Sequence, residues 1–210
     1  MISATRASPP ARAEAARDAA VTGPAEGAER GAPSPSAERY RALVDAYFDF
    51  IWRSLRGLGV PAATADDAAQ HVFLIAHQKL GEIAPGRERS FLFGTAMGVA
   101  ANARRAGARR RERCDDDAMA AAADGAPNPE QLMEMKQARA LLDEVLDAME
   151  DDLRVVFVLF ELEGVPTEEI AAMLGLARGT VASRLRRARE EFHAIVKRAQ
   201  ARALHRGGKR

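Results

Sequence analysis

The sequence predicts an all-α protein: two small helical domains joined by a flexible acidic linker and preceded by a disordered extension. Three observations predict it. Apolar residues recur at helical spacing over residues 40–58, within a first segment of residues 37–113, and again within residues 130–199. Between them, residues 114–129 (CDDDAMAAAADGAPNP) hold four aspartates and no lysine or arginine, with too little apolar mass to fold alone. Residues 167–191, TEEIAAMLGLARGTVASRLRRAREE, read as two short helices around a glycine-containing turn, the second loaded with arginine.

Taken in order, residues 1–36 are rich in Ala, Pro and Gly, contain no aromatic residue, and lack the continuous apolar stretch of a secretory signal. They are expected to be disordered, with a short partner-binding helix over residues 11–20 as the alternative. In the first domain, residues 37–113, a helix over residues 40–58 carries Leu43, Tyr47, Phe50, Ile51 and Leu55 inward. A second helix covers residues 65–80. The loop 81–89, GEIAPGRER, turns at Pro85-Gly86. A third helix, residues 90–113, ends in arginines at 104, 105, 109, 110, 111 and 113, with only Glu112 among them.

Residues 114–129 then form the linker, closed by a Pro-Asn-Pro break. Fully extended, its sixteen residues reach roughly 50 to 58 Å, at about 3.3 to 3.6 Å each. That exceeds one turn of DNA, about 34 Å, so two basic modules could touch separate DNA elements; a tether kept soluble by its acids is the plainer reading. The second domain, residues 130–199, opens with an amphipathic helix over residues 131–149, with Ala138, Leu141, Leu142, Val145, Leu146 and Met149 inward. A short, almost wholly apolar helix follows over residues 153–164. Pro166 stops it, Thr167 is placed to cap the next, and Glu168 and Glu169 suit the positive end of that helix's dipole. Ile170, Ala171 and Leu174 face inward, and Gly175 stands where a left-handed helix stop belongs. In the following helix Val181, Leu185, Ala188 and Phe192 make a buried stripe at i, i+4, i+7 and i+11. Residues 200–210 are a short basic tail that would add nonspecific phosphate attraction.

The stripe leaves Arg178, Ala182, Ser183, Arg186 and Arg187 outside, with Arg184 on the flank. Five arginines between Arg178 and Arg189, with no acid among them, suit DNA, because a guanidinium neutralises phosphate and also meets guanine through two parallel hydrogen bonds. A solvated basic face is the bland alternative. The arginines from 104 to 113 make a second patch, read either as a phosphate track or as an exposed helix end favoured by the dipole. Phe91 and Phe93 are the aromatic candidates for stacking on an unpaired base, each against the competing reading of a core residue.

The net charge of +1 hides this segregation and does not argue against nucleic acid. No segment approaches the apolar length of a membrane span, roughly 18 to 20 residues, so a cytoplasmic protein with no membrane insertion is expected. The one cysteine, Cys114, excludes an internal disulfide framework, and His71, His77, His193 and His205 lack Cys partners at zinc spacing. With no Gly-rich phosphate loop, nucleophile elbow or triad, the chain is expected to be no enzyme and to use no metal, cofactor or small-molecule substrate.

The string LRVVFVLFELEGVPTEEIAAMLGLARGTVASRLRRARE closely resembles region 4, the C-terminal promoter-binding domain, of bacterial RNA polymerase sigma factors of the extracytoplasmic-function (ECF) type in the sigma-70 family. Upstream, ADDAAQHVFLIAHQKL resembles the region 2 helix that docks on the polymerase clamp, with Asp66, Asp67, Gln70, Val72 and Phe73 matching. His71 stands where the family usually has an acid. SFLFGTAMGVAANARRAGARRRER resembles, more loosely, the helix that recognises and melts the promoter; Phe91 takes the place of a common tryptophan, and Gly94, Met97 and Gly98 replace polar and basic residues.

The resemblance implies core RNA polymerase and promoter DNA as partners, and admits an anti-sigma factor. It implies that Asp66, Asp67, Gln70, His71 and Phe73 meet polymerase. It assigns Arg87, Arg89, Phe91, Asn102, Arg104, Arg105 and Arg109 to the downstream (−10) element, and Arg178, Thr180, Ser183, Arg184, Arg186 and Arg187 to the upstream (−35) element. Ala182 stands where such factors commonly carry a basic residue, which shifts base reading to Arg186 and Arg187. Two alternatives stay open: a stand-alone helix-turn-helix regulator, and a protein that binds polymerase or an anti-sigma factor but has lost promoter opening.

Overall fold

The computed structural model describes residues 34–111 and 129–207. The expected extension, apart from its last three residues, the expected linker, apart from Pro129, and Cys114 lie outside the described residues, as do residues 208–210. Every regular element among the described residues is helical.

Helix α1 spans Pro35–Gly57, α2 Ala62–Gln78 and α3 Glu88–Arg111. Ser34 caps α1, its hydroxyl accepting from the Ala37 N–H at 3.3 Å, with proline at the first helical position and Glu38 in the first turn. The expected inward face is confirmed: Leu43, Phe50, Ile51 and Leu55 are buried, and Tyr47 packs partly against them. They meet Ala69, Val72, Phe73 and Ala76 of α2 and Leu92, Phe93, Ala96 and Ala100 of α3. Rings Phe48 and Phe73 stack with centroids 5.9 Å apart, and Phe50 and Phe93 tilt together at 6.1 Å. The loop between α2 and α3 turns at Gly86 (φ 79°) as its Pro-Gly pair predicts.

The second group is α4 (Pro129–Asp147), α5 (Asp151–Phe157), α6 (Thr167–Leu174) and α7 (Arg178–Gly207). Helix α5 does not continue as α-helix to residue 164. It passes into a single π-helical turn, Val158–Leu162, in which the Glu163 N–H donates to the Val158 carbonyl at 3.0 Å. Gly175 ends α6 in the left-handed conformation, φ 65° and ψ 32°. Thr167 is not the cap of α6: the chain enters from Pro166, Thr167 is the first helical residue, and its hydroxyl donates to the Glu168 carboxylate at 3.3 Å. Proline's fixed φ already sets the entry angle, so the side-chain cap is dispensable. The stripe on α7 is Val181, Leu185 and Ala188 as expected, continued by Ile195 and Ala199, while Phe192 stacks on Phe157 at 4.7 Å. The helix itself runs through to Gly207, into the segment expected as a tail.

The two groups pack on one another. Val156, Leu159, Val165, Ile170, Ala171, Val181 and Leu185 belong to the same buried cluster as the α1–α3 core. Val145, Leu146, Met149, Leu153, Phe157, Val158, Ala188 and Ile195 form a second cluster wholly within the second group. Gly57 makes the approach possible, since a Cβ there would meet both methyls of Val158 at 2.9 Å. Burial of apolar side chains of this size contributes about 1.5 to 3 kcal/mol each, so the junction is part of the core and not a loose contact.

Candidate nucleic-acid interface

The outward face of α7 is built as its periodicity requires. With Val181, Leu185 and Ala188 beneath, Arg178, Ala182, Ser183, Arg186 and Arg187 are exposed, while Arg184 and Thr180 are half-buried. The Ser183 hydroxyl donates to the Thr180 carbonyl at 3.0 Å, which leaves its lone pairs outward. Although no acid interrupts the arginines in sequence, acids reach them in space. Arg178 pairs with Glu168 at 3.1 Å, Arg184 with Asp152 at 2.7 Å, Arg186 with Glu190 at 2.5 Å and Arg187 with Glu150 at 3.6 Å. The Glu168 carboxyl is held below its usual range first by its own backbone N–H and then by the Arg178 charge.

A second basic face lies on α3 and the loop before it. Arg87 is exposed. Arg89 is not free: it pairs with Glu169 of α6 at 3.0 Å and lies over the Phe50 ring at 4.4 Å. Arg104 grips Asp151 of α5 with both terminal nitrogens, at 2.5 and 2.9 Å. That grip is the chief cause of an Asp151 carboxyl lowered from the usual range. Arg105 donates to the Asn102 side chain. The side chains of Arg109, Arg110 and Arg111 lie outside the described residues, and so does Arg113. Of the two readings open for Phe93 the core one holds, the ring being 1% exposed against Phe50; Phe91 is half-buried against the same core.

The exposed side of α2 has a different character. Asp66, Asp67, Gln70 and His71 stand outward, with the Trp52 indole N–H donating to Asp66 at 2.7 Å. Phe73 does not present itself beside them; it is buried. It floors an open groove of about 480 Å³ shared with Tyr40, Val44, Phe48 and Leu74 and rimmed by Asp67, Gln70 and His71. Leu74, 53% exposed, is the apolar residue that the spacing of acids and glutamine in this helix left unremarked.

Sequence reasoning also missed the arginines at the junction. Arg154 is buried, its guanidinium donating to the carbonyls of Asp147 at 2.9 Å, Met149 at 3.1 Å and, across the junction, Leu58 at 3.4 Å. Burial, with the nearby Arg104 charge, lowers its pKa, while Asp147 and Asp151 act against that shift. Arg56 is buried too, donating to the Val60 carbonyl at 2.5 Å and pairing with Asp143 of α4. Arg53 pairs with Glu163 at 3.0 Å, and that hydrogen bond raises its pKa. A signal was present: a lone arginine inside the apolar run LRVVFVLF has to be buried with partners. Among the described residues no three His, Cys, Asp or Glu side chains are grouped to hold a metal, and no helix is long and apolar enough to cross a membrane.

Residues 139–192 match the family described as Sigma-70, region 4. The ECF RNA polymerase sigma-E factor of Escherichia coli K12 is 33% identical over 139 residues, 62% of this chain and 73% of that protein. The ECF RNA polymerase sigma factor SigE of Mycolicibacterium smegmatis is 30% identical over 151 residues, which cover 71% of this chain and 58% of the length of that relative. Among solved structures, CnrH in complex with the cytosolic domain of CnrY aligns with a TM-score of 0.58 at 22% identity, over 76% of this chain and 88% of that one. The sigma factor RpoE of Bartonella quintana, solved with the anti-sigma factor NepR, aligns with a TM-score of 0.51 at 19% identity, over 76% and 98%. The two structures share the fold of this chain.

Proposed function

The chain belongs to the ECF RNA polymerase sigma factors, and we propose that it works as one, binding core RNA polymerase in the cytoplasm and directing it to a set of promoters while catalysing no reaction itself. The observation that carries this reading is the outward arginine face of α7, seated on a buried stripe and introduced by the left-handed turn at Gly175. A helix so presented enters the major groove, where Arg178, Arg184, Arg186 and Arg187 meet phosphates and guanine edges, with Thr180 and Ser183 beside them. This is the upstream (−35) contact.

On the same reading the α2 groove receives the polymerase clamp. Its apolar floor supplies area, and Asp66, Asp67, Gln70 and His71 on the rim fix orientation. Phe73 acts from beneath by shaping the floor. The downstream (−10) element falls to the loop at Pro85-Gly86 with Arg87 and Arg89, to Asn102, and to Arg104, Arg105 and Arg109. Phe91 keeps some exposed surface and is the aromatic of α3 left to stack on an unpaired base. The groove also suits an anti-sigma factor, the kind of partner with which the B. quintana relative was solved.

The test is to mix the purified chain with bacterial core polymerase, isolate the complex by gel filtration, and run transcription on genomic fragments. A stoichiometric complex that starts at discrete sites is expected. Failure to bind core, together with tight binding of free protein to palindromic DNA, would replace the reading with that of a stand-alone regulator. Core binding without transcripts would leave a factor that has lost promoter opening.

A further inference from the structure

A cleft of about 610 Å³ opens where four segments meet: the loop after α1, the second half of α3, the end of α4 and the start of α5. Three arginines, Arg104, Arg105 and Arg154, line it against two acids, Asp147 and Asp151, so its walls hold a surplus of one positive charge. Asp151 is already taken, both its oxygens accepting from Arg104. Arg154, its side chain 4% exposed, hydrogen-bonds to three backbone carbonyls and to no carboxylate, with Asp147 at 3.8 Å and Asp151 at 3.9 Å. The Nε atoms of Arg104 and Arg154 are buried and meet no acceptor among the described residues. A buried cation is costly unless a counter-charge and hydrogen bonds compensate it. Here the compensation is incomplete: burial first, then the Arg104 charge, lower the Arg154 pKa against the opposing pull of Asp147, Asp151 and Glu191.

We propose that this cleft binds a small phosphate monoester of nucleotide size, its anionic head set among the three arginines. The guanidinium fork matches phosphate oxygens, and a monoester offers three strong acceptors with a charge of about −1.5 to −2 near neutrality. The donors are held in advance of a ligand. Arg105 is exposed, and its guanidinium donates to the Asn102 side chain. Arg104, Arg154 and Asp147 crowd onto Gly59, where a Cβ would meet Asp147 Oδ1 at 2.7 Å and both Arg104 Cδ and Arg154 Nη1 at 3.1 Å. The volume lies within the range of small-molecule sites, about 300 to 1,000 Å³, and exceeds what a lone phosphate fills. Pro61, Ala101 and Met149 give the rest of the molecule an apolar wall. The DNA backbone is the other source of phosphate, but it runs outside the fold and does not reach a side chain as buried as Arg154. The inference is independent of the proposed function, since the free chain alone meets the ligand.

The experiment titrates the full-length chain, by calorimetry in buffers of matched ionic strength, with adenosine 5′-monophosphate, inorganic phosphate and adenosine. One equivalent of the nucleotide is expected to bind, inorganic phosphate to compete for the same site more weakly, and adenosine not to bind. Arg105→Gln should weaken the nucleotide about tenfold to a hundredfold, the loss of one charge-assisted hydrogen bond. Arg154→Lys, which keeps the charge and loses the planar fork, should weaken it as well. Arg41→Gln, at an exposed arginine of α1 that makes no ion pair among the described residues, should bind as wild type does. No heat with either phosphate probe overturns the site, as does equal binding of adenosine or equal weakening by Arg41→Gln. Weakening by Arg105→Gln with none by Arg154→Lys puts the phosphate on the outer surface that DNA would use, and likewise disproves the cleft. If Arg154→Lys does not fold by circular dichroism, Ala101→Glu takes its place: an acid on the cleft wall should abolish binding, and unchanged affinity overturns the proposal.

Discussion

The arginine faces of α7 and α3 resemble one another in sequence and differ in space. On α7 the buried stripe and the outward arginines alternate at helical period, so the exposed side of the helix is also the exposed side of the protein. On α3 the arginines leave their own three-helix core in the same manner, yet Arg89 and Arg104 are met by Glu169 and Asp151 of the second group, whereas the acids that reach Arg178, Arg184 and Arg187 belong to the same helical group as α7. Periodicity tells which side of a helix avoids its own neighbours. It does not tell what a third element, more than 40 residues further along the chain, will lay over that side.

The largest effect that sharpens this contrast concerns the shared core. Leu92→Ala in α3 and Leu185→Ala in α7 each remove a buried side chain and should cost about 2 to 5 kcal/mol. Because both lie in one cluster, each should lower the midpoint of one common urea transition, followed by circular dichroism. Two separable transitions, with each substitution moving only one, would break the comparison by making the faces independent.

A smaller effect lies within α7. Arg187→Ala should reduce discrimination between promoter and mismatched templates by about 1 to 3 kcal/mol, measured by competition run-off. Arg198→Ala, exposed further along the same helix, should leave promoter choice near wild type. Equal losses would mean that α7 contributes charge and not base reading.

The smallest effect is in pH. Asp151 is lowered from the usual carboxylate range by Arg104, so its pair stabilises the folded chain above the unfolded carboxyl's pKa, about 3.9. That contribution is lost as pH falls through the lower folded value. The stability difference between wild type and Asp151→Asn should therefore be constant near neutrality and close in acid below about pH 4. A difference that widens in acid would remove Asp151 from the pair.

Much of this was legible in the sequence, for physical reasons that also explain the rest. Ile51 and Leu55, Val181 and Leu185 announce themselves because burial imposes a 3.6-residue period on any amphipathic helix. Gly175 does so because a left-handed stop favours glycine. Phe93 is ambiguous in sequence, since an aromatic on a helix serves a core or a partner equally well until its neighbours are placed, and Phe73, which the resemblance sets against polymerase, is buried for the same reason. Thr167 looks like a cap in the sequence, although Pro166 already sets the chain's entry. The junction was least legible: an acidic tether describes how far two modules can separate, and says nothing of how tightly Gly57 lets them meet. Arg154 was the clue available, a charge where only apolar residues would be comfortable.

The π-helical turn at Val158–Leu162 has a consequence for how this segment tolerates change. One extra residue in the turn shifts the phase of everything after it by about 100°, the angle between successive residues of an α-helix. That phase brings Val165 into the shared core while Glu163 comes to Arg53. A single-residue deletion here would restore a regular helix and swing Glu163 off the junction, although every side chain outside the turn kept its identity. In this stretch chain length matters more than composition: substitutions of similar size should pass, and insertions or deletions should not.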